Sequence, residues 1–231
     1  GRRIRQAFTA KEGFQLISAD YSQIELVLLA HLSQDKALCK AFNDGVDVHK
    51  STASLIFGVK PEQVTSDMRR TAKTINFGVM YGMSAFRLSN ELKITRTLAK
   101  EFIDTYFATY NGIQQFMANT IAKTEETGVV ETIFGRQRPI FAINSRNKTE
   151  KASAERIAIN TPIQGSAADI VKKAMIQVDA LLKTCYKDAR LLLQVHDELI
   201  LEVPENQAEE IATKLQSIME NVVTLSVPLR V

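Results

Sequence analysis

Residues 65–82 read Thr-Ser-Asp-Met-Arg-Arg-Thr-Ala-Lys-Thr-Ile-Asn-Phe-Gly-Val-Met-Tyr-Gly. Thr65 or Ser66 can accept the free amide hydrogens of a helix start, and Asp67 suits the positive end of the helix dipole. Gly82 suits the stop. Between them Arg69, Lys73, Phe77 and Tyr81 recur at four-residue steps, which places them on one slanting stripe of a helix. At 1.5 Å per residue the stripe is roughly 18 Å long. Most helices with two cations and two aromatics simply have a wet face and a core face. Here Met68, Ala72, Ile75, Val79 and Met80 already supply the core face, so the stripe is surplus to packing. It fits a ligand with a polyanion at one end and a flat ring at the other, the shape of a nucleoside triphosphate.

Upstream, Phe14–Asp20 reads as a short strand that ends on a carboxylate. A helix follows at once, with Ile24, Leu28 and the run Leu26–Leu32 as its apolar side. Residues 34–64 are broken by Asn43-Asp44-Gly45, Gly58 and Pro61, leaving a helix over 49–57 with His49 exposed or half-buried. Downstream, the pattern predicts helices over 84–92 and 95–126, with Gly112 marking a bend in the second. Gly128 then opens a hairpin with strands 129–134 and 139–143. Residues 144–150 read as a polar loop. Helical periodicity covers 151–172 and 170–184, with Arg156, Asn160 and Gln164 on one polar stripe and Pro162 as a source of kinking. Residues 191–203 carry the strongest strand signal, two apolar runs flanking a tight turn at His196-Asp197-Glu198. A last helix over 206–221 and a strand-like tail over 223–231 close the chain.

The 231 residues allow one large domain or two smaller ones with a proper core. A net charge of +3 is too small to imply nucleic acid by itself. No apolar run is long enough to span a bilayer, and the N-terminus is no signal peptide. Cys39 and Cys185 have neither metal-ligand spacing nor the look of a disulfide framework, which suggests a reducing compartment. The start lacks Met, as expected of a piece of something longer.

Asp20 and Asp197 both stand at strand ends. If those strands are neighbours, the two carboxylates converge on one edge of a sheet. Hard divalent cations such as Mg²⁺ are held by a few carboxylates together with substrate phosphates, and a pair of such ions suits nucleotidyl transfer.

Three motifs then carry a family resemblance: Asp20-Tyr21-Ser22-Gln23-Ile24-Glu25-Leu26; Arg69-Arg70-Thr71-Ala72-Lys73 continuing to Phe77-Gly78 and Tyr81-Gly82; and Gln194-Val195-His196-Asp197-Glu198-Leu199. In order and spacing they resemble the polymerase region of the family A DNA polymerases, over nearly the whole chain. The resemblance implies an α+β fold: an antiparallel palm sheet with flanking helices, from 1–40 and 150–231, and an inserted, mainly helical fingers subdomain over 41–149. It implies two Mg²⁺ ions held by Asp20, Asp197 and the Tyr21 carbonyl, with Glu198 as an adjacent, less essential acid. Arg69 and Lys73 would bind the triphosphate with help from His49 and Gln23, and Lys73 would protonate the departing pyrophosphate. Phe77 would stack near the incoming sugar and base and Tyr81 near the template base, and Glu25 resembles the steric gate against ribonucleotides. Arg156, Asn160, Gln164 and His196 resemble contacts to primer–template DNA. The expected partners are that DNA and deoxynucleoside triphosphates, for a monomer in the bacterial cytoplasm, at the nucleoid, without membrane attachment.

Family members carry a thumb and usually exonuclease domains upstream, and these are absent from this sequence. Val27 also departs from the motif, which usually has Arg after Glu-Leu. A thumbless binding module without appreciable synthesis, and a two-metal nuclease, are the competing expectations. The nuclease has no use for the Arg69–Tyr81 stripe.

Overall fold

A computed structural model describes residues 2–231. In chain order its elements are α1 (Arg2–Arg5), β1 (Phe14–Asp20), α2 (Ile24–Ser33), α3 (Lys36–Asn43), α4 (Val48–Phe57), α5 (Ser66–Met80), α6 (Ala85–Leu92), α7 (Arg96–Thr109), α8 (Asn111–Thr127), β2 (Val129–Glu131), β3 (Gln137–Pro139), α9 (Lys148–Cys185), β4 (Arg190–Val195), β5 (Glu198–Pro204) and α10 (Ala208–Asn221). The result is an α+β fold with two small antiparallel sheets. No helix among the described residues is long and apolar enough to cross a membrane. The chain divides into two compact units, one from the residues up to Ile24 with Ala167–Val231, the other Glu25–Ser166.

The first unit is built on the sheet β1-β5-β4, with β5 in the centre. Strand side chains alternate between faces, and Leu199, Leu201 and Val203 of β5 all point into the core, fully buried. Residues Ile170, Ala174, Val178 and Leu182, four apart on α9, and Ile211, Leu215 and Met219 on α10 are buried as well. A bulge between Leu191 and Leu193 interrupts the β4–β5 ladder. The tail over 223–231 is not a strand. Pro228 removes a ladder donor, and the tail is held instead by buried Val227 and Leu229 and by the Ser22 amide on the Arg230 carbonyl at 2.8 Å.

The second unit is nearly all helix. In α2 the five residues Leu26–Ala30 are almost completely buried on every side, as a helix apolar all round must be. Val27 belongs to this run, so its departure from the motif fills core space. The reading of 34–48 as broken overlooks α3, which exists because Asp35 caps it, accepting from the amides of Ala37 and Leu38. Asp35 also explains why 95–126 is two helices and not one bent helix. Its other carboxylate oxygen accepts the Gly112 amide at 2.9 Å, and a side chain at 112 would sit 2.8 Å from the Asp35 Cα. Gly112→Ala is therefore expected to cost about 1–3 kcal/mol through overpacking, read as a lower midpoint in urea with little change of slope.

Two further boundaries differ from expectation. β2 and β3 are shorter than the predicted strands. The Ile133 amide is taken by the Ser166 hydroxyl, and Ile140–Ile143 forms a turn whose ends bury against Val130, Ala154 and Ala158. The 144–150 loop ends early because Asn147 caps α9 through the Thr149 amide. That helix then runs through Pro162 without a break. The Thr161 hydroxyl bonds the Ile157 carbonyl one turn back.

Candidate active site

In the first unit the acidic residues meet at one end of the sheet. The β1–β5 register sets Asp20 directly opposite Glu198, and the β4–β5 connection is only His196 and Asp197. His196 takes a positive φ of 57° to make that turn, and its carbonyl accepts Gln194 Nε2 at 2.9 Å. The Tyr21 amide donates to the Asp197 carbonyl at 3.3 Å, which ties the two strand ends together. Burial, then the negative charges of Asp197 and Glu198, push the Asp20 carboxyl above its ordinary value. Like charges have been brought together here.

Glu198 behaves differently. Arg5 grips it with both terminal nitrogens, at 3.0 and 2.9 Å, and the Ser18 hydroxyl donates to the same carboxylate at 2.5 Å. These bonds hold its carboxyl below the usual glutamate value of 4.5. A depressed folded-state value contributes stability that is present above the unfolded value and lost as pH falls through the folded one. Arg5→Met is accordingly expected to lower thermal stability at neutral pH, with the difference from the wild type shrinking as the pH drops below 4.5. A difference that stays constant down to the acid-unfolding range would refute the pairing. The Tyr21 side chain is committed elsewhere: its hydroxyl donates to the Met219 carbonyl at 2.8 Å, leaving only its backbone to the acidic edge.

In the second unit, Thr65 caps α5 through the Met68 amide. Gly82 ends it at φ +66°, as a left-handed terminator does. Ala72, Ile75, Val79 and Met80 are buried, so the Arg69–Tyr81 stripe lies where the spacing put it. Arg69 Nε bonds Asp47 at 2.7 Å, Lys73 Nζ lies 6.0 Å from the Phe77 ring centre, and Phe77 and Tyr81 stack with 22° between planes. At the aromatic end, burial and the hydrogen bond to Glu25 push the Tyr81 hydroxyl up to about 12, so it stays protonated and donates to that carboxylate. Gln164 also bonds Tyr81, and the Arg156 stem passes Gly82 so closely that a Cβ there would meet it at 3.1 Å. Tyr81, Glu25, Arg156 and Gln164 thus form one cluster.

The sequence expectation for His49 needs correction. The ring is only 2% exposed, and burial lowers its pKa to about 4. It packs against Phe77 at 5.9 Å. Helix periodicity did not mark the position as inward because α4 is covered by α5 and α7 on more than one side.

A model of DNA polymerase family A matches residues 1–231. The chain belongs to DNA polymerase family A. It is 50% identical over 229 residues to DNA polymerase I of Pseudomonas aeruginosa, covering 99% of this chain and 25% of that protein. Against DNA polymerase I of Treponema pallidum it is 54% identical over 231 residues, 100% of this chain and 23% of that one. It also superimposes with a TM-score of 0.95 and 43% identity on the POL domain of Pol1 from M. smegmatis, in complex with DNA primer-template and dNTP, covering 99% of this chain and 41% of that one. The chain spans about a quarter of the length of the curated relatives it matches.

Two of the positions that the family resemblance singles out, Gln23 within a motif and Asn160 outside the motifs, carry an unspent polar atom. Gln23 Oε1 and Asn160 Oδ1 are buried without a hydrogen-bond partner among the described residues, which is rare in a folded protein and calls for an explanation. A bound ligand would supply one. Four residues around these motifs escaped the sequence reading: Arg5, Ser18, Thr52 and Asn76. Ser18 shares a strand face with Asp20 and could have been found by alternation. Asn76 is a polar residue at a core position of α5, which is itself a signal. Arg5 and Thr52 gave none.

Proposed function

We propose that this chain forms the palm and fingers of a DNA-directed DNA polymerase that adds deoxynucleotides to a primer 3′-hydroxyl in replication or repair. The observation that carries the reading is the meeting of Asp20 and Asp197, far apart in sequence, at one strand end. Among the described residues no group of three or more acidic, His or Cys side chains is arranged to hold a metal by itself. The acidic edge offers two carboxylates, since Glu198 is bound to Arg5 and Ser18. That set fits Mg²⁺, which takes one or two carboxylates and completes its shell with water and substrate phosphates. Asp20, Asp197 and the Tyr21 carbonyl would hold two such ions. Bound there, magnesium supplies activation of the attacking hydroxyl and neutralisation of phosphate charge.

The chain's own residues do the rest. Arg69 and Lys73 hold the triphosphate, with Gln23 and His49 as hydrogen-bonding neighbours. Lys73 gives a proton to the leaving pyrophosphate, reducing the charge that must depart. Phe77 and Tyr81 form a flat surface for sugar and base. Glu25, held by the Tyr81 hydroxyl, crowds the 2′ position of a ribose. Arg156, Asn160, Gln164 and His196 touch the primer–template through phosphate, sugar and groove edge, contacts that position a duplex without reading its sequence. The protein acts as a monomer at the bacterial nucleoid.

A second reading is favoured by one fact: the chain covers only about a quarter of its curated relatives. Phosphate contacts dominate affinity for DNA, so a piece of this extent could bind nucleotide or DNA without appreciable synthesis. Labelled primer–template, Mg²⁺ and deoxynucleoside triphosphates decide between them. Stepwise lengthening of the primer supports the polymerase, retention without extension supports the binding module, and shortening of the DNA with no need for triphosphates would replace both with a nuclease.

A further inference from the structure

Behind the cationic stripe lies a chain of buried polar groups. His49 and Thr52 sit on α4, Asn76 on α5, and Tyr110 closes α7. Each is 2% exposed or less. The His49 Nδ1 lies 2.9 Å from Asn76 Nδ2, the Thr52 hydroxyl donates to Asn76 Oδ1 at 3.1 Å, and the Thr52 and Tyr110 hydroxyls are 3.3 Å apart.

The directions of these bonds follow from one end. Burial raises the Tyr110 hydroxyl above its ordinary value, so it keeps its proton and must donate it. Among the described residues Thr52 Oγ1 is its hydrogen-bond partner. Thr52 therefore accepts from Tyr110 and gives its own proton to Asn76 Oδ1. The Asn76 amide is then fixed with its NH₂ toward His49. An imidazole nitrogen facing an NH₂ group has to accept. The ring proton is left on Nε2. Turning every bond around would strand the Tyr110 proton in the core without an acceptor, the more costly arrangement.

We propose that Thr52 and Asn76, backed by Tyr110, are positioning residues that hold His49 as an uncharged imidazole protonated on Nε2, so that it gives a nucleotide phosphate a directed hydrogen bond and no charge. The ligand named here rests on the polymerase reading. The charged groups facing the ring are Asp47, which favours protonation, and Arg69 and Lys73, which oppose it. Burial is the largest influence and acts with Arg69 and Lys73 against Asp47. The Phe77 ring packs against the imidazole at 5.9 Å between centres, tilted by 42°. Charge for the phosphates then comes from Arg69 and Lys73 alone, and it does not vary across neutral pH.

The test is ¹⁵N NMR of histidine-labelled protein together with calorimetric titration of dATP. The chain has three histidines, so His49→Gln assigns the resonance. The expected wild-type result is the Nε2–H tautomer with no titration between about pH 5.5 and 8. Thr52→Val keeps the shape of the side chain and removes its hydroxyl. It should let the Asn76 amide turn, mix the tautomers and weaken dATP binding about three- to tenfold. Asn76→Asp places an acceptor against Nδ1. It should protonate both ring nitrogens near neutrality and make dATP binding depend on pH, an effect that a purely structural role would not produce. Circular dichroism separates these outcomes from unfolding. A wild-type proton on Nδ1, or a Thr52→Val protein with unchanged tautomer and affinity, overturns the proposal. A wild-type protein that binds no dATP overturns the polymerase reading and the ligand with it, while the tautomer is still read independently.

Discussion

Asp197→Ala is expected to reduce primer extension by roughly 10³-fold or more, because several kcal/mol of charge stabilisation on the reacting phosphate would go with it, at 1.36 kcal/mol per tenfold. Binding of primer–template, which depends on contacts elsewhere, should remain measurable. The same substitution should not weaken the fold. Asp197 lies on the turn and, after burial, is the next cause of the raised Asp20 carboxyl. A carboxyl raised in the folded state costs stability above its folded value and is relieved as pH falls through it. Removing Asp197 lowers that cost, so thermal stability at neutral pH should hold steady or rise. Extension at the wild-type rate would refute the metal assignment, and a large loss of stability would refute the repulsion.

Lys73→Ala should act on the nucleotide and not on the duplex. Loss of a positioned proton donor and of one triphosphate cation together is expected to slow incorporation by about 10²-fold or more. The deficit should persist at saturating deoxynucleoside triphosphate, because the donor acts in the transition state. Single-turnover incorporation measured over a range of nucleotide concentrations gives both quantities. An unchanged rate at every concentration would mean that the exposed amine above Phe77 does not face the reacting phosphates. Lys73→Arg, which restores charge without an equivalent proton donor, separates the two contributions.

Much of this was legible in the chain because it rested on local rules. The four-residue stripe, a cap at Thr65 or Ser66 and the Gly82 stop depend only on helix geometry, and the structure keeps the stripe and the stop and places the cap at Thr65. The strand over 14–20 and the hairpin over 191–203 follow from alternation and a tight turn, and they appear as β1, β4 and β5. What escaped was decided by partners distant in sequence. The break at Tyr110 depends on Asp35 claiming the Gly112 amide. The interruption of the 129–143 hairpin depends on Ser166 claiming the Ile133 amide. The state of Glu198 depends on Arg5, at the opposite end of the chain. Burial of His49 depends on Asn76 and Phe77 closing over it from another helix. None of these pairings has a periodicity to betray it.

The turn that carries Asp197 contains two residues and no slack. Strand registers change one face for the other with each single-residue slip. An insertion or deletion between Val195 and Glu198 would therefore either turn Leu199, Leu201 and Val203 out of the interior or carry the carboxylate away from Asp20. Homologous sequences of this stretch should accordingly keep its length, and position 196, at φ 57°, should favour residues that tolerate a left-handed backbone.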